Sequence, residues 1–210
     1  MAISFHPDLV SAHADRVPQP PRLLIVPGLH NSGPTHWQSW LQSLHPSAVR
    51  VEQRDWAQPL LDRWAARITS TLDRQGDGPW LVAAHSFGCL ALVRHLVLQP
   101  DTRVAGVLLV APADPDKFGV AGLLPQGALT VPGTMVVSNT DPWMRAAAAR
   151  AWAQRWGCHT VNLGDAGHIN TASGFGPLPL AQRWVVSMQQ VLSWVERRDR
   201  ADVSPWSFAL

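Results

Sequence analysis

The chain has 210 residues and a formal net charge of +2, with 17 lysine and arginine residues against 15 aspartate and glutamate residues. This length suits one α/β domain with a sizeable core, and the small charge gives no reason to propose a nucleic-acid partner. No uncharged apolar stretch of about 18 residues occurs, and residues 1–20 lack the apolar core of a signal peptide. We therefore predict a cytoplasmic protein with a flexible arm (1–20), one domain (21–198) and a C-terminal tail (199–210).

The first predicted strand, Leu23–Val26, runs into a loop with two glycines. Residues 27–34 read Pro-Gly-Leu-His-Asn-Ser-Gly-Pro, and a helix is predicted to begin near Thr35. A glycine-containing loop directly after a strand can donate a backbone N–H to an oxyanion that forms beside it. We assign that donor to Leu29 and name His30, its neighbour, as a candidate pocket residue.

A serine stands directly after the third predicted strand, Leu81–Ala84. The sequence His-Ser-Phe-Gly follows that strand and leads straight into an apolar helix. A strand, a tight turn and a helix with serine at the corner form a nucleophile elbow, G-x-S-x-G, whose flanking residues must be small. Here Ala84 replaces the first glycine and Gly88 keeps the second. We predict that Ser86 is a nucleophile and that the N–H of Phe87, at the positive end of the helix, is the second oxyanion donor.

Two aspartates follow later strands and compete for the role of a catalytic acid. Asp114 comes after the strand pattern Val104–Val110, and Asp141 comes after Thr134–Ser138. The acid of this fold usually follows the penultimate strand, which favours Asp141 and leaves Asp114 as the alternative. Trp143, on the same loop as Asp141, is a second candidate pocket residue.

The last predicted strand, His159–Leu163, runs into a glycine-rich loop that carries His168. Ser86, Asp141 and His168 thus follow one another in the order serine, acid, histidine that this fold uses. A serine hydroxyl is a poor nucleophile until an imidazole accepts its proton, and a carboxylate fixes that imidazole's tautomer. Asp165, three residues before the histidine, is interpreted as a loop-capping side chain.

Strand patterns alternate with helical patterns along the chain. The second strand is predicted at Val49–Gln53, and Trp56 on the loop after it is a third candidate pocket residue. Three apolar stripes at helical spacing comprise Leu61, Trp64, Ala65, Ile68 and Leu72; Met144, Ala147, Ala148, Ala151 and Trp152; and Ala181, Trp184, Val185, Met188, Val191, Leu192 and Val195. This alternation predicts a compact α/β-hydrolase fold, with about six mostly parallel strands, helices on both faces and little or no lid.

Motifs across residues 21–198 carry a family resemblance. They are Val26-Pro27-Gly28-Leu29, Ser32-Gly33-Pro34-Thr35-His36-Trp37, Gln53-Arg54-Asp55-Trp56, His85-Ser86-Phe87-Gly88, Ala111-Pro112-Ala113-Asp114, Ser138-Asn139-Thr140-Asp141-Pro142, and Gly167-His168-Ile169-Asn170 followed by Ser173-Gly174-Phe175-Gly176. The chain resembles the small serine hydrolases that include YdeN-type proteins and retinoblastoma-binding protein 9. The last block is the most specific, and the resemblance implies a triad of Ser86, Asp141 and His168.

The predicted function is carboxylesterase-like cleavage of a small ester through a Ser-His-Asp triad and an acyl-enzyme. The same residues would serve a thioesterase or an amidase, and a catalytically silent hydrolase fold that binds a protein partner is a further alternative. The histidines show no paired metal-ligand spacing, so we expect neither a metal nor a cofactor. The expected partner is a small-molecule substrate, with no nucleic acid and no membrane.

Overall fold

The structure, a computed structural model, describes residues 20–203. The strands are β1 (Arg22–Val26), β2 (Val49–Arg50), β3 (Trp80–His85), β4 (Val104–Val110), β5 (Gly133–Val137) and β6 (His159–Asn162). The helices are α1 (Trp37–Leu44), α2 (Leu61–Arg74), α3 (Phe87–Leu98), α4 (Ala146–Arg155) and α5 (Pro179–Val203), with short 3₁₀ helices at Ala121–Leu123 and Thr171–Ser173. Most of the predicted arm and tail lies outside the described residues, although α5 continues five residues into the predicted tail.

All six strands form one parallel sheet in the order β2-β1-β3-β4-β5-β6. The central strand β3 is buried along its whole length, in agreement with its nearly continuous apolar sequence. A parallel strand covered by helices on both faces needs such a sequence, whereas a strand with one wet face would alternate. The predicted α/β-hydrolase architecture with a mostly parallel sheet is confirmed, and every strand pairing among the described residues is parallel.

Helices cover both faces of the sheet and bury two separate cores. On one face α2, α3 and α4 pack against the strands, and on the other face α1 and α5 do so. The first core includes Trp64, Ile68, Leu90, Val93, Trp152 and Trp156, and the second includes Trp37, Leu41, Ala181 and Val185. None of the helices within residues 20–203 is long and apolar enough to cross a membrane.

The strand order reverses direction between β1 and β3. From β1 the chain moves outward to β2 and then returns to the other side of β1 to form β3. In open parallel sheets the loops at such a reversal leave in opposite directions and open a crevice at the carboxyl ends of the strands. The loop after β1 and the corner after β3 therefore meet at the place where this fold binds ligands.

Two predicted element boundaries were wrong by a few residues. The strand β2 ends at Arg50 rather than at Gln53, because only Val49 and Arg50 pair with β1 at this edge of the sheet. One more backbone bond, from Val51 N to the Ile25 carbonyl, closes the pairing. The helix α1 begins at Trp37 rather than near Thr35, because the preceding residue caps it.

Two predicted helical stripes were also wrong in part. In α4 the buried residues are Ala149, Trp152 and Ala153, whereas Ala147 and Ala151 face outward. All alanines in this run have the same small side chain, so the sequence pattern could not show which face of the helix is buried. In α5, Val191 and Val195 are 52% and 41% exposed, because only the first turns of this helix pack deeply against the sheet.

Candidate active site

Ser86 occupies the corner between β3 and α3 in a strained conformation. Its φ of 53° and ψ of −125° lie where non-glycine residues are rare, as a nucleophile elbow requires. The neighbouring Gly88 has no room for a side chain, since a Cβ atom there would lie 2.4 Å from the carbonyl oxygen of Pro27. The corner therefore packs directly against the backbone at the end of β1.

The loop after β1 approaches the serine equally closely. A Cβ atom on Gly28 would lie 2.7 Å from the Cβ of Ser86 and 3.0 Å from the carbonyl oxygen of His85. Two residues further on, His30 and Asn31 adopt left-handed φ values of 64° and 63°. This sharp turn carries the loop past Ser86 without closing over it.

The predicted oxyanion donors lie on these two segments. Phe87 is the first residue of α3, where a helix has N–H groups with no intrahelical acceptor. In the part of the chain that the structure describes, the N–H of Leu29 donates to no acceptor, whereas the next N–H, that of His30, donates to the Trp56 carbonyl at 3.0 Å. Both assigned N–H groups are therefore free to bind an oxyanion.

Arg50 holds the loop after β1 from the side opposite to the serine. Its guanidinium donates to Asn31 Oδ1 at 3.2 Å, to the Ser32 carbonyl at 3.1 Å and to Ser39 Oγ at 2.9 Å. Asn31 and Ser32 belong to the loop itself, and Ser39 lies in the first turn of α1. The shape of the loop is therefore stabilised by side-chain hydrogen bonds as well as by its glycines.

Ser86, His168 and Asp141 form one hydrogen-bonded chain. His168 Nε2 lies 2.9 Å from Ser86 Oγ, and His168 Nδ1 lies 3.0 Å from each carboxylate oxygen of Asp141. The side chains of His168 and Asp141 are 8% and 4% exposed, so water screens their interaction little. The Asp141 carboxylate also accepts the N–H of Trp143 at 2.9 Å, which fixes its orientation.

The alternative acid, Asp114, is not part of this chain of hydrogen bonds. Its Oδ1 accepts the N–H of Asp116 at 3.1 Å, which makes it the cap of a turn after β4. Asp165 accepts a hydrogen bond from the side chain of Asn139 at 3.3 Å and stands on the loop surface. Of the three aspartates considered from the sequence, the structure brings only Asp141 to His168.

The loop that carries His168 is organised by its own side chains. The His168 N–H donates to Ser173 Oγ at 3.1 Å, and that hydroxyl donates to Asn170 Oδ1 at 3.1 Å. Asn170 Oδ1 also accepts the N–H of Ser173 at 3.0 Å and so caps the short 3₁₀ helix. The Gly-His-x-Asn block followed by Ser-Gly thus specifies the loop shape that presents the histidine.

Hydroxyl groups join this loop to the loop that carries Asp141. Ser138 Oγ accepts the N–H groups of Ala166 and Thr140 at 3.0 and 3.3 Å and donates to the Gly164 carbonyl at 3.2 Å. Thr140 Oγ1 accepts the N–H of Gly167 at 3.0 Å. The relative position of acid and base therefore depends on two short polar side chains.

A cavity of about 330 Å³ opens in front of Ser86. We call its apolar lining residues Leu29, Ala113, Phe118 and Trp143 the apolar wall. We call its polar lining residues His30, Asn31, His36, Asn170 and Thr171 the polar wall. The predicted pocket residues His30 and Trp143 both lie here, and the sequence reasoning missed Phe118 and His36.

Trp56, the third candidate pocket residue, does not line this cavity. Its ring packs edge-to-face on the buried ring of Trp64, with centroids 5.8 Å apart, and its carbonyl accepts the N–H of His30. The prediction of a pocket wall is corrected to a packing role: Trp56 packs against the core beside α2 and supports the loop after β1 through its carbonyl.

The segment between β4 and β5 forms one side of the cavity rather than a cover. Phe118 packs on Phe87 with ring centroids 5.0 Å apart. The ammonium group of Lys117 donates to the carbonyl oxygens of Trp143 and Pro142 at 2.8 and 3.2 Å. Lys117 therefore ties this segment to the acid loop and keeps both parts of the apolar wall together.

Three imidazoles stand side by side next to the serine and line the same cavity. The ring centroid of His85 lies 4.8 Å from that of His36 and 4.8 Å from that of His168. His85 Nε2 is 3.0 Å from the His168 carbonyl, which can only accept, so this nitrogen carries the proton. Burial, followed by the charges of His168 and His36, holds the pKa of His85 well below its usual range, and the ring stays neutral.

No three histidine, cysteine, aspartate or glutamate side chains within residues 20–203 are grouped so as to hold a metal ion.

His36, which the sequence reasoning set aside with the other non-catalytic histidines, belongs to the cavity because α1 starts at its edge. A histidine directly before an amphipathic run is a possible N-cap, and that position was the one signal the sequence offered.

Comparison with known proteins finds the same overall fold in solved structures. A YdeN-like hydrolase of Pectobacterium atrosepticum shares 37% identity over 82% of this chain and 92% of its own, with a TM-score of 0.77. The ydeN gene product of Bacillus subtilis matches 80% of this chain and 98% of its own at 20% identity, with a TM-score of 0.66.

A shorter match relates the chain to a curated protein. Lipase LipV of Mycobacterium tuberculosis is 31% identical over 104 residues, which is 45% of this chain and 38% of the lipase, so the chain spans well under half of that relative. The family model described as serine hydrolase matches residues 23–187. The chain therefore belongs to the serine hydrolase family.

Proposed function

We propose that this serine hydrolase cleaves small carboxylic esters through an acyl-enzyme on Ser86. The observation that carries the proposal is the continuous chain of hydrogen bonds from Asp141 through His168 to Ser86 Oγ, with the last contact at 2.9 Å. A nucleophile in contact with a base that is itself held by a carboxylate is the arrangement that acyl transfer requires.

Acylation begins when Ser86 Oγ attacks the ester carbonyl carbon. His168 Nε2 accepts the serine proton, and Asp141 holds the proton on Nδ1 and stabilises the imidazolium that forms. The carbonyl oxygen becomes an oxyanion and accepts the N–H groups of Leu29 and Phe87. His168 then donates its proton to the alcohol oxygen, the bond from carbon to that oxygen breaks, and the acyl group stays on Ser86.

Deacylation repeats the same steps with water in place of serine. His168 accepts a proton from water, the resulting hydroxide attacks the acyl carbon, and the same two N–H groups bind the second oxyanion. The bond from the acyl carbon to Ser86 Oγ then breaks, and Ser86 Oγ takes the proton back from His168. The acid leaves, and the hydrogen-bonded chain is restored.

The size of the cavity favours small substrates, and the name of one relative favours esters among the possible acyl substrates. A volume of about 330 Å³ is at the lower end of the range for ligand sites, so a short acyl chain and a compact alcohol would fill it. The relative that matches part of this chain is named a lipase, and lipases cleave esters.

The test is hydrolysis of p-nitrophenyl butanoate by the native protein and by Ser86→Ala. We expect the substitution to lower kcat by at least about 10⁴ and to leave the melting temperature unchanged within a few degrees. Ser70→Ala, whose hydroxyl bonds the Arg67 carbonyl within α2, is the control for losing a hydroxyl remote from the site. Equal rates of hydrolysis by the native and Ser86→Ala proteins would contradict the proposal. Faster hydrolysis of the matched thioester or anilide than of the ester would also contradict it.

A further inference from the structure

His36 has a defined structural task with only one of its ring nitrogens. It is the N-cap residue of α1, and its Nδ1 accepts the N–H of Gln38 at 3.1 Å. An imidazole nitrogen that accepts a hydrogen bond carries no proton, so in the neutral ring the proton is on Nε2. The cap of the helix therefore fixes the tautomer of His36.

The second nitrogen of this ring has no task in the protein. Among the residues that the structure describes, Nε2 of His36 has no hydrogen-bond partner, although the residue is only 5% exposed. The side chain lines the cavity in front of Ser86. The Nε2 atom is not sealed inside the protein, so water can reach it from the cavity in the free enzyme. A bound substrate that displaces this water must supply an acceptor, or the donor is left unpaired at a cost in free energy.

The surroundings keep this ring neutral over the pH range of enzymes that work near neutrality. Burial, followed by the charges of Arg50 and His168, lowers the pKa of His36 to about 4. The ring thus offers one fixed N–H donor, whereas a protonated ring would also break the cap at Nδ1. Its neighbours on the polar wall, Asn31 and Asn170, use their amide oxygens within the protein.

We infer that His36 is a specificity residue whose Nε2–H binds an acceptor oxygen of the substrate, in addition to the ester group itself. The inference rests on the proposed function and names its substrate class: small esters with a hydroxyl, ether or carbonyl oxygen close to the reacting carbon. A hydrocarbon chain of the same length would leave the donor unpaired, and the enzyme would discriminate against it.

Two pairs of esters with matched numbers of atoms test this inference. Butyl acetate and 2-methoxyethyl acetate differ in the alcohol part. The p-nitrophenyl esters of pentanoic acid and of 3-methoxypropanoic acid differ in the acyl part. The measured quantity is the ratio of kcat/KM for the oxygen-containing ester over its hydrocarbon partner. The intrinsic reactivity of each ester cancels when the ratio of a variant is divided by the ratio of the native protein.

The variant His36→Asn separates the cap from the donor. Asparagine is a favoured N-cap, so the bond from Gln38 N–H is kept, but its shorter side chain removes the imidazole donor from the cavity. His36→Ala removes both and should lower the melting temperature, which measures the structural share of this residue. His45→Asn, at the other end of α1 where the ring bonds Gln182, is the remote control.

For at least one pair we expect the ratio to fall about tenfold in His36→Asn and to stay unchanged in His45→Asn. The affected pair then tells which part of the substrate faces the polar wall. Unchanged ratios in both pairs, with Ser86 still labelled by a fluorophosphonate, would overturn the inference and leave the proposed function intact. A native protein that the fluorophosphonate does not label at Ser86 would overturn both.

Discussion

The two halves of the candidate site are held together in different ways. In the elbow half, formed by the loop after β1 and the corner after β3, backbone packs on backbone and a Cβ atom on Gly28 or Gly88 would collide with its neighbours. In the acid–base half, formed by the loops after β5 and β6, hydroxyl and amide side chains make the contacts. The elbow half has no room for a side chain at Gly28 or Gly88, whereas the acid–base half depends on particular hydroxyl and amide side chains.

The difference predicts how each half responds to substitution. A backbone contact cannot adapt to an added atom, so a side chain added at Gly28 or Gly88 in the elbow half should disturb folding and activity together. A network of hydrogen bonds loses one contact at a time, so changes in the acid–base half should lower activity in steps and keep the fold. The halves meet at His168, whose ring contacts Ser86 and whose carbonyl accepts from His85.

The largest expected effect is that of Gly88→Ala. The added Cβ would lie 2.4 Å from the Pro27 carbonyl oxygen and 2.6 Å from that of Val26, so β1 and α3 would have to separate. We expect a loss of about 3 kcal/mol or more in the free energy of unfolding and no measurable esterase activity. Gly122→Ala, where no atom lies within 4 Å of the new Cβ, is the control for thermal unfolding and turnover.

The acid–base half predicts a large loss of activity without unfolding for Asp141→Asn. An amide in this position would favour the wrong tautomer of His168, and kcat should fall by about 10³ to 10⁴. Asp114→Asn should lower kcat less than about threefold, because Asp114 caps a turn. Equal losses in the two variants, measured at saturating ester, would move the acid to the loop after β4.

A smaller step is expected for Ser173→Ala. This change removes the acceptor for the His168 N–H, but the ring keeps its contacts to Asp141 and Ser86. We expect kcat to fall by about ten- to a hundredfold with KM little changed, since a misplaced base slows chemistry more than binding. Ser70→Ala, whose hydroxyl bonds within α2, is the matched control. A loss as large as that of Asp141→Asn would mean that the loop collapses as a whole.

The smallest expected effect per residue concerns stability in acid. Burial lowers the pKa of His36 and of His95 to about 4 and that of His85 well below its usual range. Between the unfolded value of about 6.5 and these folded values the unfolded chain binds more protons, so stability falls as pH decreases. We expect His36 and His95 each to cost about 1 to 2 kcal/mol at pH 5 relative to pH 7.5, and His85 to act in the same direction. Chemical unfolding at the two pH values measures the sum, and His95→Asn, remote from the cavity, should reduce it.

The elbow and the order of serine, acid and histidine could be predicted because their requirements are local. A strand followed by a tight turn and a helix needs small residues at fixed spacing, and Gly88 and Ala84 display this need in the sequence itself. The choice of Asp141 over Asp114 also followed from position in the strand order. These features depend on the neighbours of a residue along the chain.

The failures share a different cause, which is that burial and pocket walls depend on distant segments. Trp56 follows a strand pattern, but β2 pairs through only two residues and sends the ring toward Trp64. The alanines of α4 carry no size difference that could identify the packed face. His36 enters the cavity only because α1 starts beside the loop of His168. The spacing of apolar residues along the sequence cannot predict such a contact.

The central claim is that Ser86 is the nucleophile of a serine hydrolase, and a fluorophosphonate tests it most directly. The intact protein is labelled, digested and mapped by mass spectrometry, with Asp141→Asn labelled in parallel. We predict a single adduct on Ser86 and much slower labelling of the variant, because within residues 20–203 only this serine has both a base at 2.9 Å and free backbone donors beside it. An adduct on Ser138 or Ser173, or no adduct at all, would contradict the account.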